Sequence, residues 1–131
     1  MSILGRRVSI KVIAFAVVLL VVGTMLAAVS RTPSREITLV ARDMSFYLEN
    51  DPLTPNPTIT VKASERVRIV LRNEERGIRH DFAVPALRAA TKQIDWNEEA
   101  DAAFDVPQQP GSYAYLCQPH AQMMHGRLIV Q

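Results

Sequence analysis

From Arg66 to Arg72 the chain alternates, with Val67, Ile69 and Leu71 on one side and Arg66, Arg68 and Arg72 on the other. A period of two belongs to a strand that buries one face and shows the other to water. Ile37, Leu39 and Ala41 repeat the pattern against Thr38, Val40 and Arg42. Further extended pieces are expected at Phe46 to Leu48, Thr58 to Val61, His80 to Val84, Ala103 to Val106, Ser112 to Leu116 and Arg127 to Val130. Turn signals separate them: three prolines and two asparagines between Asn50 and Pro57, then Pro85, Pro107 and Pro110-Gly111. The mixed stretch from Ala86 to Ala103 reads as a helical turn over Leu87 to Lys92, a strand over Gln93 to Trp96 and a turn at Asn97-Glu98. Short strands at turn-punctuated intervals make an all-β sandwich or barrel, with no helix of its own and no internal repeat.

The N-terminus is different in kind. Arg6, Arg7 and Lys11 precede Val12 to Val29, eighteen residues without a charge. That length reaches the threshold for spanning a bilayer, and exceeds the usual apolar core of a cleavable signal. Basic residues ahead of the segment set an N-in, C-out orientation. An uncleaved anchor is therefore expected, with a cleaved signal ending near Ala28-Val29-Ser30 as the alternative. The run from Gly5 to Lys11 partly resembles a twin-arginine export signal, with Ser9 where a bulky apolar residue is usual, and no lipoprotein cysteine follows. Residues 1–30 thus read as an anchor or signal, 31–35 as a linker and 36–131 as one domain outside the cytoplasm, at the cell membrane or in the periplasm. Six residues from Ser30 to Arg35 reach at most about 20 Å, so an anchored domain stays close to the membrane surface.

Charge and cysteine usage exclude several classes. Three of the fifteen basic residues sit in the N-terminal segment, which leaves twelve against thirteen acids in the remainder. A domain of that balance is no generally basic nucleic-acid binder. Arg66, Arg68 and Arg72 read as a solvated strand face, and Glu74 and Glu75 offset neighbouring arginines. One cysteine excludes an internal disulfide, a Cys-x-x-Cys redox pair and covalent haem attachment.

That cysteine stands in a nine-residue window with two histidines and two methionines: Cys117, His120, Met123, Met124 and His125. Thiolate, imidazole and thioether are ligands for soft and borderline metals, and copper uses all three. Alternation puts Tyr113, Tyr115 and Cys117 on one face of their strand, with the thiol aimed into one end of the core. Pro119 stiffens the path to His120, and Gly126 is expected to let the chain bend into the last strand. His80, far upstream, is the other candidate ligand if its strand neighbours this one.

Asn73 through His80-Asp81-Phe82, then Pro110-Gly111-Ser112-Tyr113-Ala114-Tyr115-Leu116-Cys117-Gln118-Pro119-His120, then Met124-His125-Gly126 and the apolar close resemble the cupredoxins. These are blue copper proteins of the plastocyanin, amicyanin and azurin kind. The specific part is an upstream histidine plus Cys-x-x-His-x-x-x-Met, a glycine two residues later and a closing apolar strand. The resemblance covers most of residues 36–131 and implies a Greek-key sandwich of about seven to eight strands. It implies one type 1 copper ion held by His80, Cys117 and His120, with Met124 axial and Met123 the alternative; His125 falls outside the pattern. It further implies an electron carrier with no open metal position and no small-molecule substrate, hence no enzyme. Its partners would be redox proteins such as a cytochrome, oxidase or reductase, met through an apolar patch of Pro119, Ala121 and Met123 around His120.

Two positions depart from the family pattern. Asp81 stands where an asparagine often ties two ligand loops together, and its charge is expected to favour Cu(II) unless paired. Trp96-Asn97-Glu98 replaces a turn that often contains glycine. Competing readings are a copper-delivery protein, a zinc site of His80, Cys117 and His120 with water, and a metal-free interaction domain on the same fold. A binuclear copper centre needs a second cysteine here and a multicopper oxidase needs His-x-His pairs; the sequence has neither.

Overall fold

A computed structural model of the chain describes residues 9–14, 16–17, 33 and 35–131. The chain divides into two units, residues 1–31 and 32–131. In the first, residues 10–14 and 16–17 are helical. Among the described residues no helix is long and apolar enough to cross a membrane. Most of the expected anchor, residues 12–29, lies outside the described residues.

The described residues of the second unit form nine strands: β1 (Arg35–Arg42), β2 (Ser45–Leu48), β3 (Ile59–Val61), β4 (Arg66–Asn73), β5 (Ala83–Val84), β6 (Ala89–Ala90), β7 (Glu99–Asp105), β8 (Gly111–Leu116) and β9 (His125–Val130). They form a four-stranded sheet ordered β2-β1-β4-β7 and a five-stranded sheet ordered β3-β9-β8-β5-β6. Both are mixed, since β1 runs parallel to β4 and β3 parallel to β9, while the other pairs are antiparallel. One apolar core joins the sheets, drawing Leu39, Ile69 and Leu71 from one and Val84, Tyr115 and Leu128 from the other. The nine strands exceed the expected seven to eight because β5 and β6 are two-residue pieces.

Strand β4 keeps its period of two over its whole length, burying Val67, Ile69, Leu71 and finally Asn73. Its outward arginines form a cross-strand ladder. Arg66 pairs with Asp105 at 3.0 Å, Arg68 with Glu36 at 2.8 Å and Asp101 at 3.0 Å, and Arg72 with Glu99 at 2.8 Å and Glu49 at 3.0 Å. Such exposed pairs contribute little to stability, because water and salt screen them. They set charge complementarity between strands rather than offer a basic surface.

Several local expectations change. His80 to Val84 is not one strand: His80 forms an isolated bridge with Ile94, and only Ala83–Val84 pairs as β5. The strand expected over Gln93 to Trp96 shrinks to that bridge. The helical turn falls earlier, as a 3-10 turn over Pro85–Leu87, and β7 begins at Glu99 instead of Ala103. The bend expected at Asn97-Glu98 sits at Trp96-Asn97, where Asn97 has φ 63°. Asparagine tolerates that left-handed conformation, so it does the work a glycine would.

Gly126 also has another role than expected. It lies inside β9, opposite Tyr115, and not at a bend before the strand. A Cβ there would run into the Cζ and hydroxyl of Tyr115. Tyr115 is fully buried, donates its hydroxyl proton to Pro57 O at 2.6 Å, and packs at 5.4 Å on Phe82 and 5.6 Å on Phe46. The ring therefore has no free space to yield. Gly126→Ala is expected to cost about 1–3 kcal/mol of stability, read as a lowered urea midpoint of the metal-free chain. A midpoint equal to the native one would show that the Tyr115 ring moves aside.

Candidate metal centre

Cys117 directly follows β8, and the strand's alternation carries it inward with Tyr115, so both are fully buried. The chain then makes a 3-10 turn over Gln118–His120, with Pro119 at its start. Cys117 O accepts the His120 N–H at 3.1 Å, His120 O accepts the Met124 N–H at 2.9 Å, and Met124 O accepts the Cys117 N–H at 2.9 Å. These bonds close the loop on itself and hold the Cys117 and His120 side chains toward one another. His80 is delivered from the other side by its bridge, through N–H to Ile94 O at 3.2 Å and the reverse bond at 2.9 Å.

Asn73 organises that second segment. Period two sends it into the core, where its amide donates to Ile78 O at 2.8 Å and Ile94 O at 3.1 Å and accepts the Glu75 N–H at 2.8 Å. A buried amide is tolerated because its groups are satisfied. Asp81 then ties the two segments together, with Oδ1 accepting the Gln118 N–H at 2.7 Å. An aspartate thus makes the tie expected of an asparagine.

The donor atoms converge. His80 Nδ1 lies 3.7 Å and His120 Nδ1 3.6 Å from Cys117 Sγ, and all three ligand atoms fall within 4.8 Å of one another. The two imidazole rings are 5.1 Å apart. His80 is fully buried and His120 half-buried. The methionines separate: Met124 is 0% exposed and belongs to the core, whereas Met123 is 58% exposed. His125 is exposed and bonded through Nδ1 to Ala121 O at 2.9 Å, away from the cluster.

Burial favours the neutral forms of two of these donors, His80 and Cys117. Burial lowers the pKa of His80 below the usual histidine value, against the opposing hydrogen bond to Glu75. Burial pushes the Cys117 thiol up from 9.0 to about 11, with Asp81's charge adding to the rise and backbone hydrogen bonds from Asp81 and His120 opposing it. The thiolate is therefore costly until a metal displaces the proton.

Sequence reasoning missed Glu75. Its Oε2 lies 3.0 Å from His80 Nε2 and also accepts the Met44 N–H at 3.1 Å. No local motif marks it, because contact depends on how the 74–79 loop folds back. Asn56 was missed for the same reason; it bridges Phe46 N–H at 3.1 Å and Met123 O at 3.0 Å. Met44, Gln118, Pro119, His120, Ala121, Gln122 and Met123 line a groove of about 360 Å³ where the His120 ring comes to the surface.

The raised thiol has a consequence for stability. A folded-state value above the unfolded one stabilises the protonated fold below pH 9, and the benefit is lost as pH rises through about 11. The contribution is about 2–3 kcal/mol for a rise of this size. Between those pH values the metal-free native chain is expected to lose more stability than Cys117→Ala, measured by urea unfolding. Parallel curves for the two proteins would contradict a thiol held neutral. Tyr115, also raised by burial, titrates in both and cancels.

The model for the cupredoxin-like domain matches residues 12–130. No curated protein sequence is a significant match. Among solved structures, auracyanin B superposes with a TM-score of 0.62 at 22% identity, over 79% of this chain and 93% of that one. Auracyanin A, described as a blue copper protein from the green thermophilic photosynthetic bacterium Chloroflexus aurantiacus, gives 0.57 at 19%, over 73% and 98%. A rusticyanin variant gives 0.55 at 20%, over 86% and 94%. At these identities the likeness is one of fold. Joined to the family match over most of the chain, it agrees with the two sheets and the ligand cluster: this protein belongs to the cupredoxin-like domain family.

Proposed function

We propose that this chain is a type 1 copper protein that carries single electrons between redox proteins outside the cytoplasm. The observation that carries the reading is the gathering of His80 Nδ1, Cys117 Sγ and His120 Nδ1 at one buried point from segments 37 residues apart. Two imidazoles and a thiolate with a thioether nearby form the donor set of a blue copper site, and suit copper better than zinc or hard ions. Met124 would be the fourth residue to hold the ion, a choice supported by its complete burial beside the exposed Met123.

Copper held by these residues supplies a one-electron Cu(I)/Cu(II) couple. The chain's own part is to hold the ligands still and keep water off the thiolate. His80 and Cys117 are held by backbone bonds and by the core, so a change of charge moves them little. The His120 ring provides the way out, because it alone of the three reaches the groove. The other groove residues carry no charge, so partner contact rests on apolar area around Pro119, Ala121 and Met123, and depends weakly on salt. With four side chains committed, no position is left for a substrate, which favours a carrier over an enzyme.

Cu(II) added to the full chain in detergent is expected to give an intense visible thiolate-to-copper band that Cys117→Ser abolishes. Met124→Leu is expected to keep the colour and raise the reduction potential, since removing an axial donor favours Cu(I). Met123→Leu leaves both unchanged. A colourless protein that holds only Cu(I) or Zn(II) would sink this reading in favour of metal delivery or a structural zinc site.

Placement at the membrane rests on Arg6, Arg7 and Lys11 ahead of the uncharged run from Val12 to Val29. In cells, the chain is expected to stay with the membrane through alkaline extraction and to be digested by protease added outside the inner membrane. Recovery of a soluble form lacking the first thirty or so residues would instead show a cleaved signal.

A further inference from the structure

We propose that Glu75 is a positioning residue: its carboxylate holds His80 with Nδ1 toward Cys117 and fastens Met44 at the rim of the groove beside His120. An ionised carboxylate only accepts hydrogen bonds. Glu75 Oε2 lies 3.0 Å from His80 Nε2, so the ring proton sits on Nε2 and the Nδ1 lone pair faces the thiol 3.7 Å away. With an apolar side chain at 75, a buried imidazole N–H loses its acceptor. The ring is then free to carry its proton on Nδ1, the atom that faces the metal position.

Glu75 is itself held. Its N–H donates to Asn73 Oδ1 at 2.8 Å, and its side chain is only 19% exposed. The same Oε2 accepts the Met44 N–H at 3.1 Å, where Met44 has φ 54° in the tight β1–β2 turn. Met44 lines the groove with His120 and Met123. One carboxylate therefore joins a fully buried ligand to the surface that a partner would touch. The sequence hides this, because a glutamate in a run of charged residues looks like a solvated one.

The tautomer half of the proposal stands without copper; the affinity half rests on the copper reading above. The test uses the full chain in detergent with nitrogen-15 histidine, in which only three histidines need assignment. In the metal-free native protein, His80 is expected as a single Nε2–H tautomer. Glu75→Gln keeps an acceptor oxygen and is expected to preserve that tautomer, while its lost charge raises the reduction potential of the copper form. Glu75→Leu is expected to mix the tautomers and to lower copper affinity by about 10- to 100-fold. A native protein with mixed His80 tautomers overturns the proposal, as does a folded Glu75→Leu with native tautomer and native affinity. Should Glu75→Leu not fold, Glu75→Gln decides: a changed tautomer or an unchanged potential overturns it. A native chain that takes up no copper defeats the copper reading, and the metal-free tautomer still decides the role of Glu75.

Discussion

The hydrogen bond from the Gln118 N–H to Asp81 Oδ1, 2.7 Å long, joins two segments 37 residues apart, each one residue from a ligand. Asp81 follows His80 and Gln118 follows Cys117, so this bond sets the register in which imidazole meets thiol. A slip of one residue would turn a ligand to the opposite face. The carboxylate is 1% exposed, and burial of such a group requires a partner. The backbone N–H meets that requirement, and the carboxylate's charge adds to the rise that burial gives the Cys117 thiol. An asparagine would make the same bond without the charge.

Around that bond the protein supports the site from several sides. Below it, Phe46, Phe82 and Tyr115 pack edge-on and stacked at 5.4–5.9 Å, and each is fully buried. Phe82 is the next residue after Asp81, so the aromatic cluster anchors the upstream ligand segment directly. On one flank, Tyr115 and Asn56 tie the 51–57 loop to β8 and to the ligand loop. On the other, Asn73 and Glu75 fold the 74–79 loop against His80. Ligands whose rotamers are fixed by packing and outer hydrogen bonds need little rearrangement when charge changes.

Much of the site is legible from spacing because most of it is local. Cys117, His120 and Met124 lie within eight residues, and strand alternation from Tyr113 onward decides which way Cys117 points. Strand β4 lies where its period puts it, and so does β1, except that Val40, expected on the outward face, is buried as well. The region between Asp81 and Glu99 reads poorly because its geometry comes from single bridges and a 3-10 turn, which leave little periodic trace. Glycine is legible as a residue type and misleading as to cause. At Gly126 the reason is the Tyr115 ring, a contact with the neighbouring strand, and not a bend.

The amino-acid sequence by itself determined the all-β class, the donor types and the inward aim of Cys117, since each follows from local periodicity and side-chain chemistry. Only the tertiary structure decided which distant groups share that point. It brought His80 to within 3.7 Å of the thiol, buried Met124 while exposing Met123, and set Glu75 against the far side of His80. Those outcomes depend on how loops return across the end of the sandwich. No local period encodes that path; the summed packing and hydrogen bonds of the whole fold do.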